Sequence, residues 1–196
     1  MRILALADEP PPADPAELAV RNDVDAVLTL GDLEPGWIGS LADLELPRLG
    51  VHGNHDQERA LQAIGITDLH LSRGEIGEWS FAGFEGCVRY RPNAVRQYSQ
   101  EEAGRLARRL PAADVLLCHC PPWGVNDEPD DPAHSGFRAL RTWVEEHAPR
   151  YLLHGHTTPD PRTRVHRFGE TEVIWVRGAV TIELRKPPSG SGPGTA

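Results

Sequence analysis

Polar side chains that can bind a metal ion stand at the ends of several short apolar segments of the sequence. They are Asp8 in LALADE, Asp32 in LTLGDLE, Asn54, His55 and Asp56 in GVHGNHD, His119 in LLCHCPP and His156 in YLLHGH. A divalent cation that activates water takes oxygen and nitrogen ligands that converge from several elements. The order of these residues and their position at strand ends therefore predict a metal site, and a site of this kind points to hydrolysis.

The segments that carry these residues are typical of αβ units. Strands are predicted over residues 2–7, 26–30, 48–52, 115–119 and 151–154, with helices over 16–21, 36–44, 100–110 and 136–147 and another starting near residue 56. Antiparallel hairpins are predicted for two parts of the chain. Polar and apolar residues alternate over residues 69–90, and glycines separate the runs 164–168, 172–177 and 179–185. This mixture predicts two sheets packed face to face, with helices outside and the ligand-bearing loops at one edge.

Length and charge limit the classes of function. The chain has 196 residues, which fits one domain over residues 1–186, and we expect the Pro, Gly and Ser-rich residues 187–196 to be a disordered tail. A formal charge of -9, from 29 acidic and 20 basic residues, argues against an extended nucleic-acid interface. Bound cations would offset this charge locally, so a small phosphorylated substrate remains compatible.

The cysteines and the N-terminus favour a cytoplasmic protein. Cys87, Cys118 and Cys120 form neither an even set nor a CxxC pair. Because Cys118 and Cys120 point away from the strand face that carries His119, we interpret them as buried thiols and not as zinc ligands. The run MRILALA is too short for a secretory core, and no stretch is long enough to span a bilayer. We therefore expect no membrane partner.

Each motif also has an ordinary structural interpretation. The GDLE segment could be a simple strand-ending turn, and Asn54 or Asp56 could cap the helix that follows. His119, His154 or His156 could be a buried core histidine. The combination of these residues in order, each at a strand end, favours function over these separate alternatives.

With these residues assembled, the chain resembles the calcineurin-like metallophosphoesterase superfamily, whose motifs run DxH, GD, GNH[DE], H and GHxH. The resemblance extends from about Arg2 to Leu184. The segments HCPPWGVND and HSGFRALRTWVEEHAPRYLLHGH look most like the small bacterial branch related to Icc-type phosphoesterases. The resemblance implies an α/β fold, a four-layer αββα sandwich of two mixed β-sheets flanked by helices.

The resemblance also implies roles for individual residues. Asp32 matches a carboxylate that bridges two metals, and Asp8 matches the first ligand of the second metal. His55 matches a histidine that assists the transition state as an acid toward the leaving oxygen, with Asp56 or Glu34 as its orienting carboxylate. The remaining ligands of the first metal match Asn54, His119 and His156.

The sequence departs from the family pattern at two positions that serve the same metal. Pro10 replaces the second ligand of DxH, and Thr158 replaces the last histidine of GHxH. We therefore expect one tight metal site and a second, weak one, unless another side chain replaces the lost ligands. The candidates for replacement are Glu9, Glu34, Asp127, His134 and Asp160.

The favoured function is a metal-dependent phosphoesterase that hydrolyses a phosphodiester or phosphomonoester with a metal-activated hydroxide. The alternatives are a phosphate- or nucleotide-binding regulator with little turnover, and a protein-interaction scaffold on the same fold. The persistence of one complete site and of His55 favours the enzyme. Mixed imidazole and oxygen ligands fit manganese, iron or zinc, and manganese is our first choice. Arg89 and Tyr90 in the CVRY segment are candidate substrate contacts, since a guanidinium binds phosphate in a fork.

Overall fold

The computed structural model describes residues 1–186, and the predicted tail over residues 187–196 lies outside the described residues. The described chain forms two large β-sheets, a two-stranded ribbon, five α-helices and one 3-10 helix. None of these helices combines the length and the apolar character that crossing a bilayer requires. The architecture is an α/β sandwich, as predicted.

The first sheet has the strand order β13-β1-β2-β3-β4. Its members are β1 (Arg2–Ala7), β2 (Ala26–Thr29), β3 (Arg48–Gly50), β4 (Thr67–Asp68) and β13 (Gly178–Glu183). Strands β1 to β4 run parallel, and β13 joins the edge antiparallel to β1. The carboxyl ends of β1, β2 and β3 therefore meet at one edge of the sheet.

The second sheet has the order β11-β12-β10-β9-β6-β5. Its members are β5 (Arg73–Ile76), β6 (Trp79–Phe84), β9 (Val115–Cys118), β10 (Tyr151–His154), β11 (Arg167–Phe168) and β12 (Thr171–Trp175). The four central strands are parallel, and a hairpin closes each edge. The short parallel pair β7 (Cys87–Val88) and β8 (Gln97–Tyr98) stands apart.

The core explains why strands in the middle of the sheets, such as β1 and β9, are apolar along nearly their whole length. On β1, Ile3 and Ala5 face the other sheet, whereas Leu4 and Leu6 belong to a cluster beneath the helices. Both faces of the strand are buried, which is usual for parallel strands covered on both sides. Strand β9 is buried in the same way on the second sheet. The result is four layers, with the helices outside.

The outer layers are helices whose ends are set by local sequence signals. On the first sheet lie α1 (Pro15–Arg21), α2 (Pro35–Ile38), the 3-10 helix (Gly39–Asp43) and α3 (Ala60–Ala63). On the second lie α4 (Gln100–Ala107) and α5 (Arg138–His147). The Asp14 side chain accepts the first N–H groups of α1, and Ser99 and Glu102 form a capping box on α4.

Two of the predicted elements are wrong, and each error bears on the site. The helix expected from near residue 56 starts only at Ala60, so neither Asn54 nor Asp56 caps it. The run 172–185 is not a hairpin, because β12 pairs with β10 in one sheet and β13 pairs with β1 in the other. The chain crosses between the sheets through Val176, which is buried in the core between them. In the register of the first sheet Ala7 lies opposite Gly178, so the crossover brings Arg177 beside the end of β1.

Candidate metal centre

Three of the predicted ligands have a backbone conformation that residues other than glycine seldom adopt. Asp8, Asp32 and His156 have φ angles of 61°, 53° and 66°. Each follows a strand directly or within a few residues, and the left-handed turn redirects the chain at the sheet edge. Such conformations cost free energy and cluster at functional sites. All three lie at the same edge of the sandwich. His156 N–H donates to Asp8 Oδ2 at 2.8 Å, and Asp8 N–H donates to the carbonyl oxygen of Gly31, which precedes Asp32, at 3.2 Å.

The buried ring of His119 lies between the loops that follow β2 and β3. Its Nδ1 is 2.8 Å from the carbonyl oxygen of Leu30, to which it donates. Its Nε2 faces Asn54 Oδ1 at 3.2 Å and Asp32 Oδ2 at 3.4 Å. In the neutral ring Nε2 carries a lone pair, so three acceptor atoms face one another there. A cation among them would satisfy all three, and the Leu30 carbonyl would orient the ring as the outer partner of a metal-bound histidine does.

His156 completes this group. Its Nε2 is 2.8 Å from the Ala133 carbonyl oxygen, and donation from Nε2 leaves the lone pair of the neutral ring on Nδ1. The centroids of the His156 and His119 rings are 4.8 Å apart. Asp32, His119 and His156 each offer a ligand atom, and these atoms lie within 4.8 Å of one another. The donor set of two imidazoles, a carboxylate and an amide oxygen fits a transition-metal cation.

The charges of the site reflect its burial. Burial disfavours the charged ring of His119, but the carboxylates of Asp32 and Asp8 raise its pKa to about 9. Burial likewise raises the pKa of Asp32, but the facing His119 ring and the His55 N–H lower it to about 2. For His156, burial and the charge of His119 lower the pKa to about 3. The carboxylates thus stabilise a positive charge on the His119 ring. A metal ion bound beside the neutral ring would supply that positive charge instead.

Asp56 holds the two loops of the site together. Its Oδ2 accepts the N–H groups of Asp32 at 3.0 Å and Gly53 at 2.7 Å, and its Oδ1 accepts that of Leu33 at 2.9 Å. Asp56 is therefore a clamp between loops and not the cap of a helix, and its role as the orienting carboxylate of His55 stays a prediction. His55 N–H adds a bond to Asp32 Oδ1 at 2.8 Å.

The approach of these loops requires a glycine. A Cβ atom on Gly53 would lie 2.0 Å from Asp32 Oδ1 and 2.5 Å from the Asp32 nitrogen. No side chain fits at that distance, so the glycine of GNHD lets the two loops touch.

A cleft of about 290 Å³ opens beside the cluster. Asp8 and Asp32 line its floor together with the exposed side chain of His55. Pro35 and Trp37 add an apolar wall. The remaining lining residues are Leu33, Glu34, Asp56 and Gln57. The cleft therefore has room for a small ligand that would touch both the cluster and His55.

The two predicted substrate contacts lie in different surroundings. Tyr90 approaches the cluster, since its hydroxyl is 3.4 Å from Asn54 Nδ2. Arg89 instead pairs with Glu102 of α4 at 2.8 Å and donates to the carbonyl oxygen of Gln97. The structure thus brings Tyr90, and not Arg89, to the predicted ligands.

Around Asp8, the neighbouring residue Glu9 and Thr158 both contact a cationic side chain. Arg177 Nη2 is 2.6 Å from Glu9 Oε1, and Arg177 Nη1 donates to the Thr158 hydroxyl. Burial raises the pKa of Asp8, the charges of His119 and Arg177 lower it, and the balance is about 6. No sequence motif singled out Arg177; only the topology brings it here.

Three of the other candidate replacement ligands have partners of their own. Asp127 accepts the N–H groups of Gly124 and Gly136, both at 2.9 Å. Asp160 pairs with Arg162, and His134 Nδ1 is 2.7 Å from Asp131. Glu34 lines the cleft.

Other buried polar groups of this region lie outside the cluster. His154 is buried, with Nε2 3.0 Å from Asn126, and burial lowers its pKa to about 4, so the ring is neutral. His52 is buried behind the GNHD loop with Nδ1 3.4 Å from Asp68. All three cysteines are free and buried, as expected.

Comparison with known proteins shows a fold but no family. No protein-family model matches the sequence, and no curated protein matches it at a significant level. One solved structure of 18% identity has a TM-score of 0.64 over 88% of this chain and 89% of that chain. Protein TT1561 of Thermus thermophilus, of 17% identity, has a TM-score of 0.57 over 88% of this chain and 87% of that one. Vacuolar protein sorting 29 from Cryptosporidium parvum has 16% identity and a TM-score of 0.46 over 89% and 72% of the two chains. At these identities the first two similarities show a common fold alone.

Proposed function

We propose that the protein is a metal-dependent phosphoesterase. The observation that carries this proposal is the convergence of Asp32, Asn54 and His119 around one point, with His55 on the rim of the adjoining cleft. His156 adds a ring nitrogen to the same group. A protein-interaction scaffold would have less need of this donor set, and a regulator with little turnover would have less need of the exposed imidazole beside it.

The residues of the cluster would hold a divalent cation between two loops that Asp56 keeps in contact. When bound, such a cation activates water and neutralises charge on the phosphoryl oxygens. The fixed loops restrict the ligand oxygens to one geometry, so the site needs little rearrangement when a substrate binds. Pro35 and Trp37 offer an apolar surface to the organic part of the ester.

His55 would act on the leaving group. Its backbone N–H is fixed by Asp32, while its side chain is exposed at the cleft. An imidazole can donate a proton to the departing ester oxygen near neutral pH. Tyr90, whose hydroxyl lies beside Asn54, would hold that amide with its oxygen toward the cation.

The proposal extends to the family, the metal, the cellular compartment and the substrate. The order of the motifs supports membership of the calcineurin-like metallophosphoesterase superfamily, in its Icc-related branch. The imidazole and oxygen donors support manganese first, with iron or zinc as alternatives. Three free and buried thiols support a reducing compartment such as the cytoplasm. The substrate would be a small phosphorylated molecule, because the cleft is small and the chain is acidic.

The test is hydrolysis of bis(p-nitrophenyl) phosphate and of p-nitrophenyl phosphate, with and without manganese. We expect slow hydrolysis that needs the metal and is lost in Asp32→Asn. His55→Ala should lower kcat by about 10²-fold to 10⁴-fold, which is the usual contribution of a general acid.

The matched control is His166→Ala, which removes an exposed histidine of the same chain. It should leave the rate unchanged. The proposal fails if neither ester is hydrolysed in a manganese-dependent way. It also fails if His55→Ala and His166→Ala have equal rates.

A further inference from the structure

Next to Asp8, a lining residue of the cleft, the protein itself holds a fixed positive charge on Arg177. The Arg177 guanidinium contacts Glu9, which follows Asp8, and Thr158, which lies two residues beyond His156. Its side chain is 35% exposed, so it is accessible at the surface and still held by partners on two segments. The crossover between β12 and β13 places it there, since Ala7 and Gly178 lie opposite each other.

Asp8 and Asp32 form a pair of carboxylates that requires positive charge. Asp8 Oδ1 lies 3.9 Å from His119 Nδ1, Asp32 Oδ2 lies 3.4 Å from His119 Nε2, and both carboxylates line the same cleft. On the Asp32 side, His119 or a bound cation supplies the compensating charge. On the Asp8 side, the Arg177 guanidinium is held by its ion pair of 2.6 Å with Glu9, the residue that follows Asp8.

The residues on the Asp8 side do not fit a second metal ion. Pro10 has no side-chain donor atom. The Thr158 hydroxyl already accepts an N–H from Arg177, and the Glu9 carboxylate is paired with the same guanidinium. A cation added here would have to displace or repel a guanidinium that remains charged at all ordinary pH values.

We propose that Arg177 takes the place of a second metal ion, so that the site binds one divalent cation and presents a guanidinium to the same phosphoryl group. This inference rests on the proposed function for its ligand, a phosphate ester. A guanidinium has five N–H donors in a plane, and Glu9 and Thr158 engage one nitrogen each. Two N–H groups of this planar fork can contact two oxygens of one phosphate, whereas a cation that acts as a point charge has no such paired geometry.

The first experiment counts manganese ions per chain by equilibrium dialysis and elemental analysis. Wild type and Arg177→Met should each bind one ion, because removing the guanidinium adds no ligand to Pro10 or Thr158. The second experiment titrates inorganic phosphate into the manganese-loaded proteins by calorimetry. Arg177→Met should weaken phosphate binding by about 10-fold to 100-fold, the range for one charge-assisted hydrogen-bonded contact.

Two further variants separate charge, geometry and folding. Arg177→Lys keeps the charge but not the fork, and its phosphate affinity should fall between those of wild type and Arg177→Met. Arg162→Met removes another ion-paired arginine, 2.8 Å from Asp160, and should bind phosphate as wild type does. Thermal unfolding of each variant shows whether it is folded, and Arg177→Lys tests the role of the fork even if Arg177→Met is unstable.

The outcomes distinguish this inference from the proposed function. Two manganese ions in the wild type, or unchanged phosphate affinity in folded Arg177 variants, would overturn the inference and leave the phosphoesterase proposal standing. One ion and an Arg177-dependent phosphate site without ester hydrolysis would support the inference and overturn the enzyme. A wild type that binds no manganese would overturn both.

Discussion

Replacing Asp56 by asparagine tests whether this carboxylate positions the metal ligands. Its two oxygens accept three backbone N–H groups, from Asp32, Leu33 and Gly53. An asparagine has one acceptor oxygen, so its amide NH2 must face at least one of these donors. With the oxygen in the better orientation one bond is lost, and the other two change from a charged to a neutral acceptor.

The expected magnitude follows from this count. A hydrogen bond to a charged group contributes about 1.5–3 kcal/mol, and the lower value applies here because the bonds are only part-buried and water replaces some of them. A loss of about 1.5 kcal/mol lowers the Tm of a chain of this size by about 3–6 °C. Manganese affinity should fall about 10-fold or more, as it does when an outer partner of a metal ligand is removed.

The assay is thermal unfolding with and without manganese, together with a manganese titration. Glu34→Gln is the matched control, because it removes a carboxylate from the same cleft. It should lower manganese affinity only through the loss of charge and should leave Tm unchanged. If Asp56→Asn behaves like Glu34→Gln in both measurements, Asp56 is not a clamp and the reasoning is wrong.

Three further predictions concern the same site and core. Gly53→Ala should abolish tight manganese binding in a folded protein, because its Cβ would overlap the Asp32 carboxylate at 2.0 Å; unchanged affinity in a titration would contradict the close contact. Burial lowers the pKa of His119 but the Asp32 and Asp8 carboxylates raise it to about 9, above the value of 6.5 for an unfolded chain. The Tm of the metal-free protein should therefore fall as pH rises from 6.5 through 9, and saturating manganese should remove most of this slope; a flat metal-free profile would refute the paired ring. The three buried thiols should resist alkylation by iodoacetamide at pH 8 until the protein unfolds, since burial raises their pKa values; labelling at the rate of a free thiol, measured by mass spectrometry, would contradict this.

Much of the fold follows from local sequence because β1, β2, β9 and β10 are buried on both faces. The predicted strand at residues 151–154 has the bounds found for β10, and the apolar run at the N-terminus is β1. The crossover at Val176 was not predictable in this way. Two apolar runs separated by a glycine also form hairpins, and only packing between the sheets assigns β12 and β13 to different partners.

The ligands of the candidate site could be predicted from the sequence because they follow strands that end at a shared edge. The roles of Asp56 and Arg177 were not, since both depend on contacts between separate loops. Asp56 acts on residues 23 and 24 positions away, and Arg177 meets Thr158 across 19 positions. Contacts between residues so far apart leave no local pattern in the sequence, because only the tertiary structure brings the residues together.

The most direct test of the account is the anomalous scattering of manganese in crystals of the protein. We predict a single peak about 2.0–2.3 Å from the nearest ligand atoms. Those atoms should belong to Asp32, Asn54, His119 and His156. A peak elsewhere, a second peak between Asp8 and Thr158, or no peak at saturating manganese would contradict the account of a one-metal site.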